Sequence, residues 1–215
     1  MSPARRTREA TEQLRASLIE HARQIVARDG ASALTMRTLA AQAGCAVGLP
    51  YKVFADRQEL LMEILRAQFA GLQTSSEELI GRAGIGTVAG NLTRFAERVL
   101  DSTAVALVHE VVRDPALAQA FGAQFRGSQT GPALFESAFA GYLTAEQRAG
   151  RIAPDIDTEA FGFLLAGAIH NLIISGQAYP RPSRRKLKRL LTATADTISN
   201  RPDTSGPRTA SGAST

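Results

Sequence analysis

Residues 34–61, LTMRTLAAQAGCAVGLPYKVFADRQELL, constrain the fold more than any other stretch of the chain. Thr35 is a good helix N-cap, and Met36, Leu39, Ala40 and Ala43 follow at the spacing of one helical face. Gly44 supplies the residue that tolerates positive φ where that helix must stop. A second short segment runs through Val47, Tyr51 and Phe54. Asp56 and Glu59 then form a D-x-x-E capping pair ahead of Leu60, Leu61, Ile64, Leu65 and Phe69, the inner stripe of a longer helix. Two short helices across a tight glycine turn are the means by which DNA-binding proteins present a recognition helix to the major groove.

The charge distribution agrees with such a head. Residues 1–60 carry nine Lys/Arg against six Asp/Glu, a balance of +3, whereas residues 61–180 carry eight against twelve, a balance of −4. Residues 181–215 carry eight against two, and the whole chain stands at +5. A phosphate backbone attracts the first segment and repels the middle one. Hydrophobic content of 44% and charged content of 21% belong to a folded soluble protein. No apolar run reaches the roughly 18–20 residues that cross a bilayer. The N-terminal MSPARRTREATEQLR has no apolar core and is not expected to act as an export signal. One cysteine excludes an intrachain disulfide, and a reducing cytoplasm is the expected compartment.

The remainder reads as helices. Residues 1–10, with Arg5, Arg6 and Arg8, are expected to form a flexible basic arm. Leu14, Leu18, Ala22, Ile25 and Val26 mark a first helix closed by Asp29-Gly30. A helix over 57 to about 80 joins head to body, and the glycine-rich 81–90 is expected to be a loop. Segments 91–112, 115–126 and 132–149 are expected helices, broken at Asp114-Pro115 and from Gly127 to Pro132. Asp157 to about Ala178, the most apolar segment, and Ser183 to Ser199 complete the set. Hairpin dipeptides and sustained period-2 alternation are absent, so the expected class is all-α. The expected domains are an arm over 1–10, a DNA-binding head over 11–56, a helical body over 57–200 and a disordered tail over 201–215.

Gly30, Leu34-Thr35, Arg37, Leu39-Ala40, Ala43-Gly44, Gly48, Tyr51, Phe54, Arg57 and Glu59-Leu60-Leu61 together resemble the N-terminal signature of the TetR (tetracycline-repressor) family over residues 12–62. Cys45 stands where a valine is usual, Ala46 where a serine or threonine often caps, and Leu49-Pro50 where Thr-Leu is frequent. Proline disfavours the α region for Leu49, so an irregular start to the recognition helix, about 46–52, is expected. The resemblance implies an all-helical homodimeric repressor whose body binds a small molecule that releases DNA.

Candidate residues follow from position and type and, for Arg37 and Tyr51, from what the resemblance implies. Thr35 and Arg37 lie in the first turn of the first short helix, where a phosphate finds unpaired backbone N–H groups. Tyr51 and Lys52 lie on the recognition segment and are expected on phosphates; Lys52 is the only lysine before Lys186. Arg57 opens the long helix, where a positive charge opposes the helix dipole, and an external phosphate is the expected counter-charge. Val47, Gly48 and Leu49 are placed to read thymine methyls or groove shape.

In the body, the resemblance implies an apolar small-molecule ligand among Phe95, Leu107, His109, Arg113, Phe121, Phe125, Phe139 and Tyr142, although most aromatics of such helices are core by type. Phe161, Leu165, Ile169, Leu172, Leu187, Leu191 and Ile198 are the expected dimerisation residues of the last two helices. Cys45 reads as a small buried hydrophobe, and His21, His109 and His170 lack metal-ligand spacing. Neither a metal, a cofactor, a membrane contact nor a catalytic constellation is expected, since residues 81–90 lack the Lys-Ser/Thr of a phosphate loop. The rival readings are a ligand-independent DNA-binding accessory protein and an all-helical enzyme.

Overall fold

The computed structural model describes residues 3–126, 133–175 and 179–199. They form ten α-helices: α1 Pro3–Asp29, α2 Met36–Gln42, α3 Gly48–Val53, α4 Arg57–Ile80, α5 Val88–Leu100, α6 Thr103–Arg113, α7 Pro115–Phe125, α8 Ala133–Arg148, α9 Thr158–Ile174 and α10 Arg184–Ile198. The all-α reading therefore holds. The sole β-type contact among these residues is a lone bridge between Ile152 and Ser199, which ties the end of α10 to the segment before α9.

Local chemistry sets most boundaries. The Asp56 carboxylate accepts the Glu59 N–H at 2.8 Å and starts α4. Asp114 accepts the Ala116 and Leu117 N–H groups and starts α7 with Pro115 in its first turn. Asp157 and Ser183 cap α9 and α10 in the same way. Three expectations need correction. The basic arm over 1–10 is helical from Pro3, because nothing after that proline breaks a helix before Asp29-Gly30. The loop over 81–90 is shorter than expected, since the Thr87 hydroxyl accepts the Gly90 N–H at 3.0 Å and α5 begins at Val88. The single helix over 91–112 is two helices, α5 and α6. At that break Arg181 donates to the Leu100 carbonyl at 2.5 Å and the Ser102 hydroxyl to the Val99 carbonyl at 2.7 Å. Carbonyls that would continue the helix are thus engaged by side chains. The expected break from Gly127 to Pro132, the end of the expected helix near Ala178, and the tail over 201–215 lie outside the described residues.

The head core is built from Leu18, Ala22, Ile25 and Val26 of α1, with Leu34, Leu39 and Phe54, closed by Leu60 and Leu61 of α4. Each such burial contributes about 1.5–3 kcal/mol relative to exposure. In the body, α8 and α9 touch backbone to backbone. A Cβ added at Gly162 would lie 2.7 Å from the Ala140 Cβ and 2.8 Å from its backbone nitrogen. Beside this contact the Thr144 and Thr158 hydroxyls meet at 2.7 Å. Phe69 of α4 packs on Phe125 at a ring separation of 4.9 Å, and Phe125 on Phe121 at 4.7 Å, an aromatic seam between α4 and α7.

Candidate functional site

The two short helices stand as the sequence requires. The Thr35 hydroxyl accepts the Thr38 N–H at 3.0 Å, and the Thr38 hydroxyl accepts the Thr35 N–H at 2.9 Å, a reciprocal capping box. After α2 the chain turns at Gly44, whose φ is +63°. The Cys45 N–H reaches the Ala40 carbonyl at 3.0 Å and the Gly44 N–H the Ala41 carbonyl at 3.2 Å, the paired bonds of a Schellman stop. A Cβ at Gly44 would be strained there.

Contrary to the irregular start expected from Pro50, α3 is helical from Gly48, and Leu49 lies within it. Pro50 sits in the first turn, where no intrahelical donor is lost, and its ring is buried against the head. That burial turns the other face of α3 outward. Tyr51 is 58% and Val47 51% exposed. Thr35, Arg37, Gly48 and Lys52 are exposed beside them, and Leu49 is half-buried. Seven of the eight expected DNA-contacting residues therefore gather on the two reader helices and their junction.

The eighth does not. Arg57 donates to the Leu34 carbonyl and the Ala31 carbonyl, each at 2.8 Å, and to the Glu110 carboxylate at 2.9 Å. The anion that offsets its unfavourable position at the helix start is Glu110 of α6. Arg57 therefore joins head to body through its Nε and Nη2 groups.

A second arginine escaped sequence reasoning. Arg15 of α1 donates to the Val53 carbonyl and to Glu59, each at 2.8 Å, and its guanidinium lies 4.7 Å from the Phe54 ring centroid. It fixes the end of α3 between α1 and α4. The Arg15 hydrogen bond, helped by the Ala55 N–H, holds the Glu59 carboxyl below the usual carboxylate range. No local pattern announces a pair 44 residues apart.

The expected ligand residues divide into three groups. Phe95, Leu107, Phe125, Phe139 and Tyr142 are core and line neither opening of the body described below, a correction that follows from their packing. Phe95 and Phe139 meet edge to face at 5.2 Å. The Tyr142 hydroxyl donates to Glu146 and accepts from the Asn91 amide at 3.0 Å. Burial and the Glu146 contact push that hydroxyl's pKa well above the usual tyrosine value. Glu146 is fully buried; Arg151 pairs with it at 3.0 Å and the Gly84 N–H donates to it at 3.1 Å. The Asn91 amide also donates to the Ile85 carbonyl at 2.8 Å, so this network fastens the loop over 81–87.

Phe121, in contrast, lines an apolar cavity of about 60 Å³ with Phe69, Val108, Phe135 and Ile173, where Ser102 and His170 are the polar groups. His109 and Arg113 line a separate open cleft of about 500 Å³ between α6 and the end of α9. Of the expected dimerisation residues, Leu165, Ile169, Leu172, Leu187 and Leu191 line an open groove between α9 and α10. Leu165, Ile169, Leu187, Leu191 and Ile198 are buried within this chain, and Phe161 and Leu172 are half-buried against the same core. The outward apolar residues are Phe163 and Leu164, each 61% exposed, with Ile174 at 43% and Leu190 at 47%. Among the described residues no group of three His, Cys, Asp or Glu could hold a metal ion. No described helix is long and apolar enough to cross a membrane.

Comparison with known proteins places this geometry. Residues 18–64 match the family model described as bacterial regulatory proteins, tetR family. No curated protein matches the chain. Among solved structures, a protein from Mesorhizobium loti described as a TetR-family transcriptional regulator is similar, with a TM-score of 0.63 at 19% identity, over 87% of this chain and 95% of that one. One from Saccharomonospora viridis, described as a transcriptional regulator in complex with choline, gives 0.63 at 18% identity, over 88% and 100%. A TetR transcriptional regulator from Streptomyces coelicolor gives 0.57 at 24% identity, over 86% and 98%. At these identities the structural likeness speaks for the fold, and the head match for the family. By that match, residues 18–64 form a DNA-binding head of the helix-turn-helix type found in the tetR family of bacterial regulatory proteins.

Proposed function

We propose that this regulator is a homodimeric repressor released from an inverted-repeat operator by a small apolar ligand. The observation that carries the reading is the outward face of the head. Thr35, Arg37, Val47, Gly48, Tyr51 and Lys52 are exposed together on α2 and α3, while Pro50 and Phe54 turn inward. Lys52, Arg37 and Tyr51 take phosphates; Val47, Gly48 and Leu49 meet base edges or read groove shape.

Two further observations support the rest. Phe163 and Leu164 on α9 and Leu190 on α10 leave an apolar surface beside a groove of about 370 Å³ between these helices. Pairing α9 and α10 with their copies about a two-fold axis covers it, and places two α3 helices for successive major grooves. The cavity beside Phe69 and Phe121 is nearly free of polar groups, which suits an apolar effector. At about 60 Å³ it holds only a small fraction of a drug-sized molecule, so binding requires α6 or α7 to shift. A ligand that prefers the shifted body releases DNA by exactly the free energy of that preference. A fold relative solved with choline shows that this architecture houses small molecules in at least one protein.

The test is duplex DNA from the gene's own upstream region, titrated at several salt concentrations. Lys52→Ala should weaken binding to all operator variants about equally and reduce the log–log salt slope by about 1. Relaxed preference at one base pair would assign Lys52 to a base instead, and failure to bind any such duplex would overturn the reading.

A further inference from the structure

The cleft between α6 and α9 has a chemistry unlike that of the apolar cavity, and no step above uses it. Its volume of about 500 Å³ lies within the range of small-molecule sites. Its lining includes the apolar Val112, 62% exposed, and Ile174, 43% exposed, with Leu172. Arg113, Arg181 and His109 line it as well.

The charges on this rim are not balanced. Among the described residues no carboxylate is bonded to Arg113. Its neighbour Asp114 is engaged with the Ala116 and Leu117 N–H groups at 2.9 and 3.2 Å, and Glu110 with Arg57 at 2.9 Å. Asp101 faces two guanidinium groups, Arg181 at 3.3 Å and Arg184 at 2.7 Å. Arg181 and Arg184 therefore share one carboxylate, while Arg113 has none bonded to it among the described residues. The His109 Nε2 lies 2.5 Å from the Ile173 carbonyl, so its N–H is donated there and the ring is held against the end of α9.

We infer that this cleft binds a small organic anion with an apolar tail, its charged head on Arg113 and Arg181 and its tail along Val112, Leu172 and Ile174. An inorganic anion would leave the apolar lining in water, a neutral apolar molecule would leave Arg113 unmatched, and a cation would be repelled. Arginine's planar fork suits a carboxylate or phosphate head. The inference does not depend on the apolar cavity, which lies under Val108 and Phe121.

Calorimetric titration of the full chain with octanoate, octanol and octylamine tests it. Octanoate should bind once per chain, about tenfold or more tighter than octanol or octylamine, the scale of one charge-assisted contact. Arg113→Gln, at an exposed position, should weaken octanoate about tenfold and leave the melting temperature in place. Val108→Phe, which fills the apolar cavity, should leave octanoate binding unchanged. Equal affinities for octanoate and octanol, or no saturable octanoate binding, would overturn the site. Loss of octanoate binding in Val108→Phe with retention in Arg113→Gln would place the molecule in the cavity and also overturn it. A fall in the dimer population on Val112→Arg would make the cleft an interface between copies, a third outcome against it.

Discussion

The two ends of α4 are held by opposite means. The helix has 24 residues and so runs about 36 Å at the α-helical rise. At its C-terminal end the loop over 81–87 is fastened to α5 and α8 through Glu146, which is fully buried and bonded to Tyr142, Arg151 and the Gly84 N–H. At its N-terminal end Arg57 reaches Glu110 as a pair whose side chains stay 33% and 23% exposed. A sealed, fully satisfied network is costly to disturb, whereas a half-exposed pair exchanges with water at little cost. One end of the lever is thus a fixed anchor and the other an adjustable joint, the arrangement a regulator needs if its head is to move while its body stays folded.

Breaking the anchor should have the largest effect. Glu146→Ala leaves Arg151 partly buried and unpaired and strips a partner from Tyr142, so unfolding free energy should fall by about 3–5 kcal/mol, read from denaturant titration. A loss near zero would remove the distinction between the two ends. Next comes the contact that keeps the body itself rigid. Gly162→Ala forces a methyl into the Ala140 backbone and should cost about 1–3 kcal/mol, again by denaturant titration, with a lowered thermal midpoint. The joint should respond differently. Glu110→Gln should cost about 1 kcal/mol or less in stability, as expected for a part-exposed pair, yet change operator affinity measurably in a fluorescence titration. A variant that lost several kcal/mol with unchanged DNA binding would make Arg57–Glu110 a second anchor.

The smallest effect sharpens the head's side of the comparison. Glu59 is held below the usual carboxylate range in the folded head, chiefly by Arg15 and then by the Ala55 N–H. A lowered folded value means the unfolded chain binds the proton first. The contribution is complete above the ordinary carboxylate range, near pH 4–5, and is lost as pH falls through the lower folded value. Thermal melts from pH 6 downward should therefore lose less stability in Glu59→Gln than in wild type. Parallel losses in the two proteins would remove Glu59 from the account.

Much of this was legible from local signals. Thr35, Gly44, Asp56, Asp114 and Asp157 act at helix ends as their types demand, because capping is a transaction between neighbours in sequence. What escaped depends on partners far along the chain. The α5–α6 break at Asp101 involves Arg181, 80 residues on, and the anion facing Arg57 is 53 residues away. The dipole argument identified the need for an anion at Arg57 and misplaced its source. In α9, apolar residues surround the helix, so periodicity alone does not say that Leu165 and Ile169 face inward while Phe163 and Leu164 face out. The aromatics divide for a related reason: Phe95, Phe139 and Tyr142 fill the core by volume, whereas Phe121 lines the cavity with Phe69 and Phe135.

The three acceptors of Arg57 also bear on how the head is tied to the body. Leu34 and Ala31 belong to the head and Glu110 to the body, and one rigid planar fork serves all three. Two of the three acceptors move with the head, so a tilt of head against body puts only the Glu110 contact at risk, at about 1 kcal/mol by typical net values. Arg57 thus stays seated on its own domain while its reach to α6 is made or broken as a single contact.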